Sequence, residues 1–458
     1  MNASAPSLVC EGCGFEAPAP PRGPLRFRCP RAEGSAGDHV LVPPPSAEAG
    51  EWPVDDDPNP FVRYRALAWS YQLARSLGVA DGAYVERVLR LDRAVAAVDG
   101  HGFRVTPLLR APRLDTPTSR VWVKDETGQV SGSHKGRHLF GVLLVLEVLR
   151  LAGLTSGDPP LAIASCGNAA LAAAVLARAA ERRLRVFVPE DAGSSVLARL
   201  RELGAEVAIC PRPPGRLGDP TLRAFRAAVA EGAIPFACQG TECGLTLDGG
   251  KTLAYEIADP AAPFDRVFVQ VGGGALGSSL FRGLSEAKLR VRLGRLPRLM
   301  AVQAEAVHPL AEGYGRLVRA LAQGEPGALP EGPSDTLADA LRRPDRTARM
   351  EAILGDMTAR RHDQLPPWPT PRPCVAHGIL DDETYDALAL FRGLITTGGS
   401  PVVVPEVLLV EAEALGRRAT GVDADATGTA GLGGLLAWPR PPAPERTLLL
   451  FTGARRAP

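Results

Sequence analysis

Short runs of branched and aromatic residues alternate with longer stretches of helical period along this chain, and that rhythm restricts the fold more than any other feature. Val121-Trp122-Val123, Leu161–Ala164, Arg185–Val188, Glu206–Ile209, Ile234–Ala237, Arg266–Val271, Leu299–Val302 and Thr447–Phe451 read as strands. Helices are predicted over Leu139–Leu149, Ala169–Arg182 and Ser195–Leu203. Strands that are apolar throughout, with helices between them, belong in a parallel sheet covered on both faces. The expected class is therefore α/β, built from open, mostly parallel sheets. Such sheets gather ligands at the loops that follow their strands.

The loop after Val121–Val123 runs Lys124-Asp125-Glu126-Thr127-Gly128-Gln129-Val130-Ser131-Gly132-Ser133-His134-Lys135-Gly136-Arg137 into a helix. Lys135 thus stands at a helix start, where the dipole disfavours a second cation and makes a neutral, nucleophilic amine easier to reach. Composition adds weight, because only four of the 52 basic residues are lysine. A guanidinium cannot become an imine nitrogen, so lysine here does something arginine cannot. The plain alternative is a solvated lysine at a helix end.

Three further loops follow strands. Ser165-Cys166-Gly167-Asn168 offers a hydroxyl, free amides and a carboxamide, suited to a ring oxygen or a carboxylate, or simply to capping a helix. Gly272-Gly273-Gly274-Ala275-Leu276-Gly277 lets successive amides close on a phosphate at a helix N-terminus. The same glycines fit a dinucleotide fingerprint, although the acid that fingerprint needs, Glu305, lies too far along. Thr452-Gly453 puts a hydroxyl at the end of the last strand, where a neutral heteroaromatic nitrogen can be hydrogen-bonded. Asp248-Gly249-Gly250-Lys251-Thr252 misses the phosphate-loop spacing by one residue, and Lys251 is expected at the solvent or capping a helix.

Outside these loops, residues 1–45 stand apart. Cys10 and Cys13 form a CxxC knuckle, and Cys29 and His39 complete a candidate zinc set that would hold a ribbon too small for its own core. A metal-free, degenerate ribbon is the alternative, because the Cys29 to His39 gap is long. Residues 46–60 read as a linker, and two helices are expected between Phe61 and Val98. Residues 310–375 are expected to be irregular or helical, and the acids of His377–Asp386 read as a charged helix start, with contacts to substrate as the alternative. A formal net charge of +1 gives no field for nucleic acid. No run is long and apolar enough to span a membrane, no leader is evident, and the cysteines fit reduced thiols, so the expected location is the cytoplasm.

Together, Val123-Lys124-Asp125-Glu126, Ser133-His134-Lys135-Gly136-Arg137, the Asn168 loop, Leu247–Thr252, the triple glycine and Leu450-Phe451-Thr452-Gly453 resemble the fold-type-II pyridoxal-phosphate enzymes, threonine synthase most of all. The resemblance covers roughly residues 100–458, and the N-terminal segment resembles the zinc-ribbon-like start of some relatives. It implies a tryptophan-synthase-beta-like architecture: a large cofactor domain from 61–144 and 241–458, and a smaller mobile domain from 145–240. It implies that Lys135 holds the cofactor covalently and shuttles protons, that Asn168 meets the ring oxygen, and that Gly272, Gly273, Gly274, Ala275, Leu276 and Gly277 cradle the phosphate. Thr452 would meet the pyridine nitrogen, and Ser165, Cys166, Gly167 and His134 would face the substrate. The implied activity is β- or γ-elimination or replacement on an amino acid, with O-phosphohomoserine as first substrate, in a homodimer. His134 and Gly136 depart from the Phe and Asp usual around this lysine in threonine synthases. A serine/threonine-dehydratase-type ammonia-lyase, a nicotinamide-dependent oxidoreductase on the glycine loop, and a non-catalytic binding protein are the competing readings.

Overall fold

The computed structural model describes residues 6–456 apart from 36, 45–50, 54, 156, 213–217, 261–262, 324–328, 370–371 and 440–442. Part of the linker expected at 46–60 lies outside the described residues. The chain opens with a three-stranded antiparallel ribbon, β1 (Leu8–Cys10), β2 (Glu16–Ala17) and β3 (Leu41–Val42), in the order β2-β1-β3. The expected two-helix region contains a short turn at Pro60–Arg63 and helices at Trp69–Ser76 and Asp81–Asp99. Then come β4 (Leu108–Arg110) and β5 (Ser119–Asp125). Proline at 107 restricts the first of these to an edge, where it pairs antiparallel with β5.

Strands β6 (Leu161–Ala164), β7 (Leu184–Pro189), β8 (Glu206–Cys210) and β9 (Ile234–Pro235) form a four-stranded parallel sheet in the order β8-β7-β6-β9. The strand expected over Ile234–Ala237 is shorter than its apolar run, and Phe236 and Ala237 continue into the core as buried loop. Strands β10 (Arg266–Gln270), β11 (Arg298–Ala304), β12 (Ser400–Val404) and β13 (Glu445–Phe451) join β4 and β5 in a six-stranded sheet, order β12-β11-β10-β13-β5-β4. All its pairings are parallel except that of β4. The last strand therefore lies between β10 and β5, and Leu448–Phe451 are fully buried there. Residues 310–375 are largely helical, at Pro309–Ala322, Asp335–Leu341, Thr347–Ala359 and Arg361–Gln364.

Helix Lys135–Leu151 is apolar around nearly its whole circumference, which is what a helix enclosed on all sides requires. It packs against helix Thr246–Ala258 so closely that a Cβ on Gly141 would stand 2.6 Å from the Gly249 Cα. Only glycine at both positions permits that crossing. The pair is further locked by a fully buried set of charges. The Arg137 guanidinium meets Glu126 at 2.7 Å and Glu256 at 2.6 Å, and the Lys124 ammonium meets Glu256 at 2.6 Å. Thr106 donates its amide to Glu256 at 2.9 Å. Two cations and two carboxylates balance, so the burial of each is compensated by partners. Lys251, expected at the solvent or capping a helix, instead lies buried within helix Thr246–Ala258, 2.8 Å from both Asp248 and Glu286. The sequence pattern did not disclose that the helix carrying it is enclosed.

Candidate active site

Lys135 is the first residue of its helix and half-buried. Its ammonium has no hydrogen-bond or ion-pair partner among the described residues. Its approach is rigid. Ser131 sits at φ 56°, a left-handed conformation costly for a residue with a Cβ, and its amide donates to Asp99 at 2.7 Å. Ser133 bridges to Gly453, and the His134 amide donates to the Thr452 carbonyl at 3.3 Å. The segment after β13 thus clamps the start of the lysine helix, while Arg137 anchors its first turn from the other side.

Thr452 is buried at the end of β13. Gln270, at the end of β10, points its amide nitrogen at the carbonyls of Gly428 (2.9 Å) and Thr427 (3.2 Å) and at the Thr452 hydroxyl. The carbonyls only accept, which fixes the amide's orientation. Thr452 Oγ1 therefore accepts from Gln270 and keeps its own proton to donate elsewhere. Asn168, first residue of helix Asn168–Ala179, is polarised in a similar way. Its Oδ1 accepts from the Arg456 guanidinium at 2.9 Å, which leaves its NH2 to donate. A Cβ on Gly453 would lie 3.0 Å from that nitrogen, so Asn168 and Thr452 are brought together across a single glycine.

The glycine loop joins β10 to helix Ala275–Leu289, with Gly274 at φ 106°. A Cβ on Gly272 would stand 2.3 Å from Asp381, and one on Gly277 2.7 Å from Leu390. The Gly273 amide donates to Asp381 Oδ2 at 2.8 Å. Burial pushes the Asp381 carboxyl above the usual carboxylate range, and nearby Lys135 pulls it down. A carboxylate thus stands in, at a loop amide beside the lysine, for a phosphate oxygen. Together with the donor left on Asn168 and the donor left on Thr452, this fits a group with an anionic phosphate, an acceptor ring oxygen and an acceptor nitrogen. Ala275 and Leu276 are buried in the first turn of the helix.

His134 is buried beside Lys135, and its Nδ1 donates to the Thr452 carbonyl at 3.3 Å, leaving Nε2 unprotonated. Burial, Lys135 and His138 hold its basicity well below that of ordinary histidine. Burial likewise pushes His138 down to about 3. Two neutral imidazoles therefore flank the lysine, their rings 5.5 Å apart. Ser165 and Gly167 are half-buried ahead of Asn168, with the Gly167 amide donating to Ser165 Oγ at 3.4 Å. Cys166, which the resemblance turns toward the substrate, is exposed.

Sequence reasoning missed Gln270 and Arg456, and reached Asp381 only as one member of a run of acids. Asp381 and its neighbours, expected as a charged helix start, instead face the glycine loop; helix Ala387–Thr397 begins only after them. Gln270 carried a readable signal, a polar residue in an otherwise apolar strand. Arg456 carried none. Glu305, the acid a dinucleotide reading needs, is exposed beyond β11.

Residues 101–364 match the family model of the pyridoxal-phosphate dependent enzymes. The chain is 27% identical over 262 residues to threonine synthase of Methanosarcina acetivorans, a match covering 56% of this chain and 59% of that one. It is 28% identical over 186 residues to L-threo-3-hydroxyaspartate ammonia-lyase of a Pseudomonas species, covering 40% of this chain and 54% of that one. It thus spans little more than half the length of these relatives. Maize serine racemase shares the fold at a TM-score of 0.53 and 15% identity, with 81% of this chain and 94% of that chain covered.

Proposed function

This chain belongs to the pyridoxal-phosphate dependent enzyme family, and from that premise we propose that it catalyses β- or γ-elimination or replacement on a free amino acid, with Lys135 as the catalytic residue. The observation that carries the reading is the Lys135 ammonium, without a partner among the described residues, at a helix start clamped by the Thr452–Gly453 segment. When bound, pyridoxal phosphate supplies a carbonyl for the lysine amine and a ring that draws electrons from the substrate Cα.

The residues divide the remaining work. Amides of Gly272–Gly277 would hold the phosphate, and the Asn168 NH2 would donate to the ring oxygen. The Thr452 hydroxyl, its oxygen held by Gln270, would donate to the ring nitrogen of the cofactor without offering it an acidic proton. The Lys135 amine moves the proton at substrate Cα. Neutral His134 packs beside it without adding a competing charge, and Ser165, Cys166 and Gly167 face the substrate carboxylate. We assign residues 145–240 to a smaller unit that closes over the substrate and excludes water.

The likeness to threonine synthases supports O-phosphohomoserine as the first substrate to test. The likeness to an ammonia-lyase supports a second reading, deamination of a β-hydroxy amino acid. Action in the cytoplasm, supported by eight cysteines that are all free, and assembly as a homodimer belong to the same proposal. No helix among the described residues is long and apolar enough to cross a membrane.

The test is to load the protein with pyridoxal phosphate, reduce with borohydride and map the modified residue, expecting Lys135. Phosphate, ammonia and keto-acid release from phosphohomoserine, serine, threonine and 3-hydroxyaspartate then separates the two readings. Cofactor that reduces onto no lysine would sink the proposal.

A further inference from the structure

Away from the cleft, the N-terminal ribbon carries a constellation that the proposed chemistry does not use. Cys10 Sγ lies 3.6 Å from His39 Nδ1, Cys13 Sγ lies 3.7 Å from Cys29 Sγ, and the four ligand atoms all fall within 4.8 Å of one another. A tetrahedral zinc ion with bonds of about 2.3 Å to sulfur and 2.0–2.1 Å to nitrogen has edges of about 3.8 Å between sulfurs and about 3.5 Å between sulfur and nitrogen. Both measured contacts match those edges. A disulfide does not explain them, because bonded sulfurs stand about 2.05 Å apart.

Two further features point the same way. The remaining nitrogen of His39, Nε2, is hydrogen-bonded to Ser35 Oγ at 2.9 Å, which orients the ring with Nδ1 toward the sulfurs. Finally, β1, β2 and β3 have two or three residues each, too little sheet to specify a fold unaided.

We propose that Cys10, Cys13, Cys29 and His39 bind one structural zinc ion, and that this ion pins the ribbon against the phosphate loop. Four protein ligands leave no open position, so the ion does no catalysis. Its effect travels through packing. Val40 and Val42, beside the His39 ligand, form a buried cluster with Leu247 and with Ala275, the first residue after the triple glycine. The Gly244 amide donates to the Phe27 carbonyl at 3.2 Å, and the Asp38 amide donates to the Thr358 carbonyl at 2.7 Å. Arg282, on the helix that follows the glycine loop, pairs with Glu11 inside the knuckle. Loss of the ion loosens a wall of the cofactor site without removing any group that touches the cofactor.

The full-length holoenzyme, produced in zinc-supplemented medium, is expected to contain about one zinc per chain by elemental analysis. Cys13→Ser and His39→Ala are each expected to lose most of it, and to release pyridoxal phosphate several-fold more readily on dialysis while still accepting borohydride reduction at Lys135. Replacement by Co(II) in the unaltered protein keeps the test independent of whether those variants fold: it is expected to give the intense visible bands of a tetrahedral thiolate site. Holoenzyme without zinc, or cobalt bound without those bands, overturns the assignment. Full zinc in both variants does the same. If the variants lose zinc but keep cofactor affinity and melting temperature, the pinning role falls.

Discussion

Gln270 donates its side-chain amide to the Thr452 hydroxyl, and this contact between neighbouring strand ends decides which way the threonine proton points. Thr452→Val is expected to lower kcat/KM by about tenfold to a hundredfold, since a donor to the ring nitrogen is worth about 1–3 kcal/mol. Gln270→Leu frees the hydroxyl to turn and is expected to cost less. The two effects should be non-additive in a double-mutant cycle; simple additivity would show that Gln270 does not act through Thr452.

Asp381 competes for the Gly273 amide that the phosphate needs. Asp381→Ala is therefore expected to tighten pyridoxal phosphate binding by about threefold to thirtyfold, the range for removing a carboxylate from a hydrogen-bonded amide. Equilibrium dialysis measures it, and weaker binding would mean that Asp381 helps to build the loop instead of blocking it.

Breaking the buried charge set is expected to be costly. Arg137→Met leaves Glu126 and Glu256 short of a partner, a loss of about 3–5 kcal/mol in urea unfolding. Cofactor loading should fall with it, because Arg137 anchors the turn that begins at Lys135.

Asp386 gives the pH signature. Burial, with Asp38 nearby, pushes its carboxyl up to about 8, and neither carboxylate oxygen has a hydrogen-bond partner among the described residues. The folded form holds this proton more tightly than the unfolded chain, whose value is near the ordinary 3.8. The proton's stabilising contribution is therefore complete below the unfolded value and drains away up to about pH 8, by about 1.4 kcal/mol per pH unit. Asp386→Asn removes that slope. Urea midpoints for the variant should gain on the natural protein steadily from pH 5 to 8 and then level off, and parallel curves would refute the assignment.

Strands β5, β10, β11 and β13 of the large sheet, the lysine loop and the glycine loop were legible because each is a local pattern, an apolar run followed by glycine or polar residues, whereas β12, with Pro401 inside it, went unread. What escaped is non-local. Nothing near Lys251 signals that Asp248 and Glu286 will enclose it. The donors at Asn168 and Thr452 could be named as residue types, yet their polarity depends on Arg456 and Gln270, 288 and 182 positions away. The acids at 381–386 read as a helix start because no local feature tells an exposed turn from one folded over the glycine loop. The CxxC knuckle was readable, whereas the approach of His39 to Cys10 had to come from the ribbon's closure.

The position of β13 between β10 and β5 imposes an order of assembly on the nascent chain. The four-stranded sheet is complete once residue 235 has left the ribosome and its nearby segments can pair early. In the larger sheet, β5 and β10 must wait, with a strand-wide gap between two apolar edges, until the segment up to Phe451 is made. Throughout that interval the half-built molecule exposes the surfaces on which chains misassociate. During synthesis this protein should thus depend on chaperones most heavily in its last steps, just before the cofactor site can exist.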